Sequence, residues 1–466
     1  MGNAKGASAG RFPFEALVRV LRQNQVTAFI VTGYSLALFP FNWGLSIASQ
    51  QVGFARPLDF NAIVDIGEII GFLTVIVLAF SAGKRRPFGL AHAIPFLLMV
   101  LGNGCIMLNA SCAPFLPLGA VGNIAMGCGY ALCILMWLKA MSKLPPRKML
   151  IVISVGFLFN FASFPIIEDV RIGASYAYVI VACVASALLL LVANRSASPA
   201  SASSEEERLA VYIPSKRLIA FASIIPFAYG FCTSYLSVGV SSFGLKMGFA
   251  LPSAIIIIGL MARYETFNLT TVYWITCPLM TVGLLSSFFL SIPPLVSKTL
   301  IATALGSVFL VVYIVVRVQS QGCNRDPLFS YALLSSLITI FTVLGKEVER
   351  LISGASWEMY LIIGLIVTVV ASYGLIIAGS SGTGAFDIGS ALSDETERDH
   401  AMLLAQTHGL SKRETAVYAL MLDERTIAEI AEELFIAPST VRAHISRIYE
   451  KFDAHSRQEF LRKTKS

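Results

Sequence analysis

LSKRETAV at Leu410–Val417, IAEIAEEL at Ile427–Leu434, STVRAHI at Ser439–Ile445 and IYEKF at Ile448–Phe452 decide how the C-terminal end of this chain folds. Apolar residues recur there at helical spacing: Val417, Leu420 and Met421, then Ile427, Ile430, Ala431 and Leu434, then Val441, Ile445, Ile448 and Phe452. Three helix starts carry a capping box, in which a hydroxyl accepts from a backbone N–H and an acid three residues on reaches back. They are Ser411 with Glu414, Thr426 with Glu429, and Ser456 with Glu459. A further helix opens at Pro438, whose missing N–H has no partner to lose in a first turn. Two helices, a tight turn at residues 435–437 and a following helix predict a helix-turn-helix, whose second helix enters the major groove. The reading helix is predicted over about Pro438–Phe452. Its wet face offers Ser439, Arg442, Ala443, Ser446, Arg447 and Lys451. Arg pairs bidentately with guanine, and small residues let the helix approach the bases. Thr440, Arg447 and Lys451 suit phosphates, which position without specifying sequence.

The stretch resembles the LuxR/FixJ-type (GerE-like) DNA-binding domain. The resemblance rests on Leu410, Arg413, Glu414, Val417, Ile430, Ala431, Leu434, Ile436, Thr440, Val441, His444, Ile448, Lys451, Phe452 and Arg457, in ungapped register. It implies a four-helix domain with base contacts at Arg442, Ala443 and Ser446. It also implies a homodimer made through the last helix, Ser456–Lys465, with Phe460 and Leu461 at the contact. Double-stranded DNA is the implied partner, with RNA polymerase as a further one. Two residues depart from the family pattern. Glu424 stands where Gly is usual, and Ala437 where Ser or Thr caps the reading helix; a lost cap costs about 1 kcal/mol. The competing reading is a small helical bundle used for protein contacts alone, but a helical period by itself would not require Thr440, Val441, Arg442 and His444 at this place.

The rest of the 466 residues is of another kind. Charged residues make up 14%, against about 25% in soluble domains. Hydrophobic residues make up 56%, and mean hydropathy is +0.73. This composition requires a lipid bilayer as partner. Twelve apolar runs are each near the roughly 20 residues that a spanning helix needs. They are predicted at 26–48, 62–82, 87–108, 115–138, 149–167, 172–193, 218–239, 249–263, 267–290, 295–316, 328–345 and 356–378. The eighth is short. The expected fold class is all-α: a polytopic bundle of two six-helix halves plus a C-terminal helix-turn-helix domain. The boundaries are a basic N-terminal segment 1–25, a first half 26–193, a polar linker 194–217 and a second half 218–378. A linker and connecting helix at 379–405 follow, then the DNA-binding domain at 406–466.

Net charge is +7, and much of it lies in loops on one side of the bilayer. Lys84, Arg85 and Arg86 follow the second span; Lys143, Arg147 and Lys148 the fourth. Arg195, Lys216 and Arg217 flank the linker, and Arg317 and Arg325 follow the tenth span. The opposite loops, with Glu168, Asp169 and Arg171 or Lys346, Glu347, Glu349 and Arg350, carry no basic excess. The positive-inside rule then places both termini in the cytoplasm of a cell-membrane protein. In architecture this part resembles the major facilitator superfamily. Gly83-Lys84-Arg85-Arg86 stands where that family has a Gly- and Arg-rich loop, without its Asp. The combination with a LuxR-type domain resembles membrane-bound bacterial regulators.

Ionisable groups inside spans are functional suspects by default. Asp65 and Glu68 lie three apart on one face of the second span; the bland alternative puts them at the outer water interface. Asn103, Asn123 and Asn160 read as interhelical hydrogen-bonders, with a ligand role as the alternative. Tyr229 and Trp274 suit an aromatic ligand pocket or plain packing. The candidate ligand set is Asp65, Glu68, Asn123, Tyr229 and Trp274. The eight Cys follow no metal spacing, and no nucleophile triad or phosphate loop is present. No cofactor or enzyme activity is expected. A membrane-bound one-component transcription regulator that senses a small molecule is the leading expectation. A transporter-like protein with an appended regulatory DNA-binding domain is the alternative.

Overall fold

The structure, a computed structural model, describes residues 25–50, 60–81, 93–111, 116–163, 172–196, 212–235, 243–262, 278–286, 293–322 and 325–352. It further describes isolated positions between 359 and 370, and residues 408–460 with short gaps. The chain divides into two compact units, Met1–Ile388 and Gly389–Ser466.

The first unit holds α1 (Gln25–Gln50), α2 (Phe60–Ser81), α3 (Ile94–Ser111), α4 (Leu116–Met141), α5 (Pro146–Ala162), α6 (Ile172–Ser196), α7 (Lys216–Tyr235), α8 (Phe243–Ala262), α9 (Pro294–Gly322) and α10 (Leu328–Ile352). Each falls on an expected span. The expected ninth span is helical over 278–286, and the twelfth lies almost wholly outside the described residues. Among the described residues, four stretches, Pro117–Met141, Tyr176–Asn194, Pro294–Gln321 and Leu328–Ile352, are long and apolar enough to cross a membrane. Shorter apolar helical stretches run over Gln25–Pro40, Ile94–Asn109, Leu218–Cys232 and Lys246–Gly259.

The eighth helix starts at Phe243, six residues before the expected span, so at 20 residues the segment is as long as α7. Lys246 and Pro252 lie inside it, and the charge hid its first turn from a hydropathy reading. Large apolar side chains stand exposed on α2, α3 and α6, among them Val77, Leu97 and Val181. On a soluble domain so much apolar surface would mark an interface. Here it is the lipid-facing side of a membrane bundle.

Helix pairing repeats between the halves. In the first, α4 packs on α2 and α3, and α1 on α5 and α6; in the second, α9 packs on α8, and α7 on α10. The halves meet through α2 against α10 and α5 against α8. Exchanging the halves turns each of these two contacts into the other, which is the pattern of two related repeats. The α7–α10 contact is close. A Cβ at Gly230 would strike the Thr342 carbonyl, and one at Gly345 the Phe227 carbonyl, so each glycine lets the other helix's backbone approach.

The second unit holds α11 (Lys412–Leu422), α12 (Ile427–Glu433) and α13 (Pro438–Lys451). Val417, Tyr418, Met421, Ile430, Ala431, Val441, Ile448, Phe452, Ala454 and Phe460 form its core. Seven of them lie on the expected apolar face. Leu420, Ile427, Leu434 and Ile445 pack against this core from its edge. The expected connecting helix Ser393–Thr407 lies outside the described residues.

Candidate nucleic-acid interface

Two of the three predicted capping boxes are in place. The Ser411 amide donates to the Glu414 carboxylate at 2.8 Å, and the Glu414 amide to the Ser411 hydroxyl at 3.4 Å. The Thr426 amide donates to the Glu429 carboxylate at 2.7 Å, and the Glu429 amide to the Thr426 hydroxyl at 3.3 Å. The third box falls on Ser456, outside the described residues. Helix α13 begins with Pro438 in its first turn, and Ala437 at its N-cap supplies no side-chain acceptor.

Val441 and Ile448 anchor α13 in the core, with His444 and Ile445 half-buried beside them. This fixes the helix's rotation. Ser439, Thr440, Arg442, Ala443, Ser446, Arg447 and Lys451 are all exposed, as expected. Ser439, Arg442, Ala443 and Ser446 recur at helical spacing on one strip, since positions three and four apart are neighbours on a helix. One charged fork among small residues is what a groove-reading strip requires.

Two residues expected at outside contacts are engaged within the domain. The first is Lys451, expected at a phosphate. It donates to the Glu414 carboxylate and to the Gly409 carbonyl, each at 2.8 Å, and so ties the end of α13 to the start of α11. That bond and the Ser411 amide hold the Glu414 carboxyl down at about 2, well below its ordinary 4.5. Phe460, expected at a dimer contact, is fully buried in its own domain. Its ring lies 5.3 Å from Phe452, 5.7 Å from Tyr418 and 5.4 Å from Tyr449. A side chain filling the core of one subunit is not available to another. Leu461 lies outside the described residues. The aromatic cluster also takes in His408, stacked 4.1 Å from Phe452 with Nδ1 2.9 Å from the Lys451 carbonyl oxygen. His408 was not singled out in the sequence. Its only signal there was its place just before Gly409, whose φ of 63° is the left-handed conformation that glycine adopts freely.

Residues 408–464 match the family described as bacterial regulatory proteins, luxR family. Over 50 residues the chain is 44% identical to the spore germination protein GerE of Bacillus subtilis (strain 168), covering 11% of this chain and 68% of that protein. The chain belongs to the luxR family of bacterial regulatory proteins. Its C-terminal unit is therefore a LuxR-type helix-turn-helix DNA-binding domain, joined in one chain to membrane helices. Among solved structures, the chain is similar to the major facilitator superfamily transporter FucP in its outward conformation. Identity is 12%, with 77% of this chain and 99% of that one covered, at a TM-score of 0.47. It is also similar to the human organic anion transporter MFSD10 (TETRAN). Identity is again 12%, with 76% and 98% covered, at a TM-score of 0.48.

Of the candidate ligand residues of the membrane unit, Asp65 lies within electrostatic reach of both Glu68 and Tyr229. Asp65 on α2 is paired with Lys346 on α10 at 2.8 Å, and the Thr339 hydroxyl on α10 donates to Glu68 at 3.4 Å. The two acids do share a face, and that face meets the other half of the bundle. Lys346, expected in an outer loop, is inside α10. Asn123 is buried on α4, where its amide donates to the Gly119 carbonyl of its own helix at 2.9 Å. Asn103 likewise donates to Met99 one turn back, at 2.8 Å. Neither amide nitrogen bridges helices as expected, because the carbonyl one turn back is nearer. Tyr229 is buried on α7. Trp274 lies outside the described residues.

Proposed function

We propose that this luxR-family protein is a membrane-bound one-component transcription regulator. The membrane unit takes up a small molecule, and the C-terminal unit reads DNA as a homodimer and acts on RNA polymerase. The observation that carries this reading is the exposed strip of Ser439, Arg442, Ala443 and Ser446 on a helix pinned by Val441 and Ile448. A DNA-reading face in one chain with membrane helices makes regulation from the membrane its natural use. Basic loops on one side of the bundle favour a cell-membrane protein with both termini cytoplasmic, where the domain reaches the chromosome. A ligand acts in such a system only through its different affinity for two states of the bundle.

The test begins with the duplex that the full-length protein selects from a random pool. Arg442→Ala is expected to weaken binding to that duplex by about 1–3 kcal/mol and to relax preference at one base position. Equal losses on selected and random duplex would remove Arg442 from base reading.

A second reading, a carrier with an appended DNA-binding domain, is favoured by a specific observation. Asp65, Glu68 and Lys346 place ionisable groups between two related halves, with the Thr339 hydroxyl beside them. Proteoliposome uptake separates the two. Accumulation of the inducer inside vesicles would establish a carrier, and binding without accumulation a receptor.

A further inference from the structure

A cavity of about 310 Å³ opens on one side of the membrane unit, away from Asp65 and Glu68. Thr74, Val75 and Leu78 of α2 line it, with Ile94 and Pro95 of α3 and Leu132, Leu135 and Met136 of α4. Its polar groups are Lys139 near the end of α4, Lys143 just beyond it, and Asn194 near the end of α6; Leu328 completes it from α10. The volume is at the lower end of the roughly 300–1,000 Å³ typical of small-ligand sites. The hydroxyl of Thr74 is already used, donating to the Ile70 carbonyl at 2.7 Å. The walls thus present hydrocarbon, while two cations and an amide gather where α4 and α6 end. The Lys143 ammonium is oriented by Asn194 Oδ1 at 3.2 Å.

A lysine in the last turn of a helix is ordinary, because the helix end carries partial negative charge. Lysines at a bilayer interface are also ordinary, since their stems lie along apolar surface. Neither reason explains why two of them border one apolar cavity that five helices build. We propose that this cavity binds an amphiphilic carboxylate, a single anionic head on a straight or flat apolar body. The head lies at Lys139 and Lys143, and the body fills the space among Val75, Leu78, Leu132 and Leu135. Carboxylate against ammonium is a charge-assisted pairing, and a low-dielectric wall strengthens it.

The site is placed to be felt at the central linker. Asn194 stands at the linker's start. At its far end, the Tyr212 amide donates to the Asp326 carbonyl at 3.3 Å, and the Ser330 hydroxyl of α10 donates to the Tyr212 carbonyl. A ligand touching Asn194 and Leu328 therefore touches the elements that hold both linker ends. Its class deepens the sensing reading given above, and that reading alone governs whether binding reaches transcription.

The test uses the full-length protein in nanodiscs of phosphatidylcholine, with radiolabelled decanoate as probe. Saturable decanoate binding is expected, with decanol and decyltrimethylammonium weaker by about tenfold or more. The Lys139→Gln/Lys143→Gln variant should lose about tenfold, and the Arg pair at the same positions should restore most of it. Leu78→Trp, at the exposed mouth, should block binding while leaving thermal stability unchanged. Equal binding of decanol and decanoate would overturn the proposal, as would decanoate binding indifferent to both Leu78→Trp and the lysine changes. Loss of decanoate binding when phosphatidylglycerol is added would also overturn it, assigning the cavity to lipid headgroups instead. Decanoate binding that meets every expectation but leaves a transcriptional reporter unmoved would leave the site standing and end the sensing reading.

Discussion

The ammonium of Lys451 lies 2.8 Å from both the Glu414 carboxylate and the Gly409 carbonyl. Glu414 is almost fully buried and also accepts from the Ser411 amide. Removing Lys451 would leave that carboxylate with its cap and without its cation. Hydrogen bonds to charged groups are worth about 1.5–3 kcal/mol, and partial exposure of the lysine reduces this. Lys451→Ala is therefore expected to destabilise the C-terminal unit by about 1–2 kcal/mol in urea unfolding at neutral pH. An unchanged midpoint with weakened DNA binding would return Lys451 to a phosphate role. The same pair predicts a pH dependence. Glu414 has its carboxyl held at about 2 when folded, against 4.5 ordinarily. The folded state thus binds this proton less readily, so its stabilisation is complete above about 4.5 and lost as pH falls toward 2. Glu414→Gln should flatten that acid loss between pH 5 and 2, read as the pH dependence of the urea midpoint.

At the scale of the helix, α12 and α13 make an internal comparison. Thr426 caps α12 with a complete box, whereas Ala437 leaves α13 without a side-chain acceptor. The Ala437 backbone, at φ −67° and ψ 143°, already has the extended conformation that a capping residue adopts. Serine there needs no rearrangement. Ala437→Ser is expected to stabilise the C-terminal unit by about 1 kcal/mol, measured as a rise in the thermal midpoint. Thr426→Ala should cost about as much. A loss on Ala437→Ser would mean the small side chain is needed for another contact. The described helices of both units were legible from period, caps and length, because each of these is a local property. The start of α8 was not, because Lys246 is buried inside the bundle and reads as a break in hydropathy.

Across the membrane unit, several described side chains tie the halves together, two pairs among them. Asp65 near the start of α2 pairs with Lys346 near the end of α10. Arg317, near the end of α9, donates through Nε to the Leu144 carbonyl between α4 and α5 at 3.1 Å. The side chains of Asp65 and Lys346 are 19% and 21% exposed, so neither is freely solvated. Breaking one member of a buried pair costs about 3–5 kcal/mol, and less where water reaches it. A double-mutant cycle on Asp65→Ala and Lys346→Ala should give a coupling of about 1–3 kcal/mol in thermal unfolding of the detergent-purified protein. Additive effects would show that the two do not act as a pair. The bundle's orientation is tested separately. Reporter fusions after residue 86, within 194–216 and after residue 379 should all report cytoplasm, and fusions near Asp169 the outside. A periplasmic signal after residue 379 would strand the DNA-binding domain on the wrong side.

Sequence by itself determined that the C-terminal stretch is a helix-turn-helix, which strip of α13 is wet, and that a membrane must surround the remainder. These follow from periodicity, capping and composition, which neighbouring residues set among themselves. Tertiary structure alone decided the partners. Lys451 turns to Glu414, Phe460 closes the core of its own subunit, and Asp65 meets a lysine 281 residues away. It also decided that Lys139, Lys143 and Asn194 border one apolar cavity. The physical reason is that burial can be inferred from a residue's own chemistry and period, whereas a partner depends on which helices pack and at what rotation.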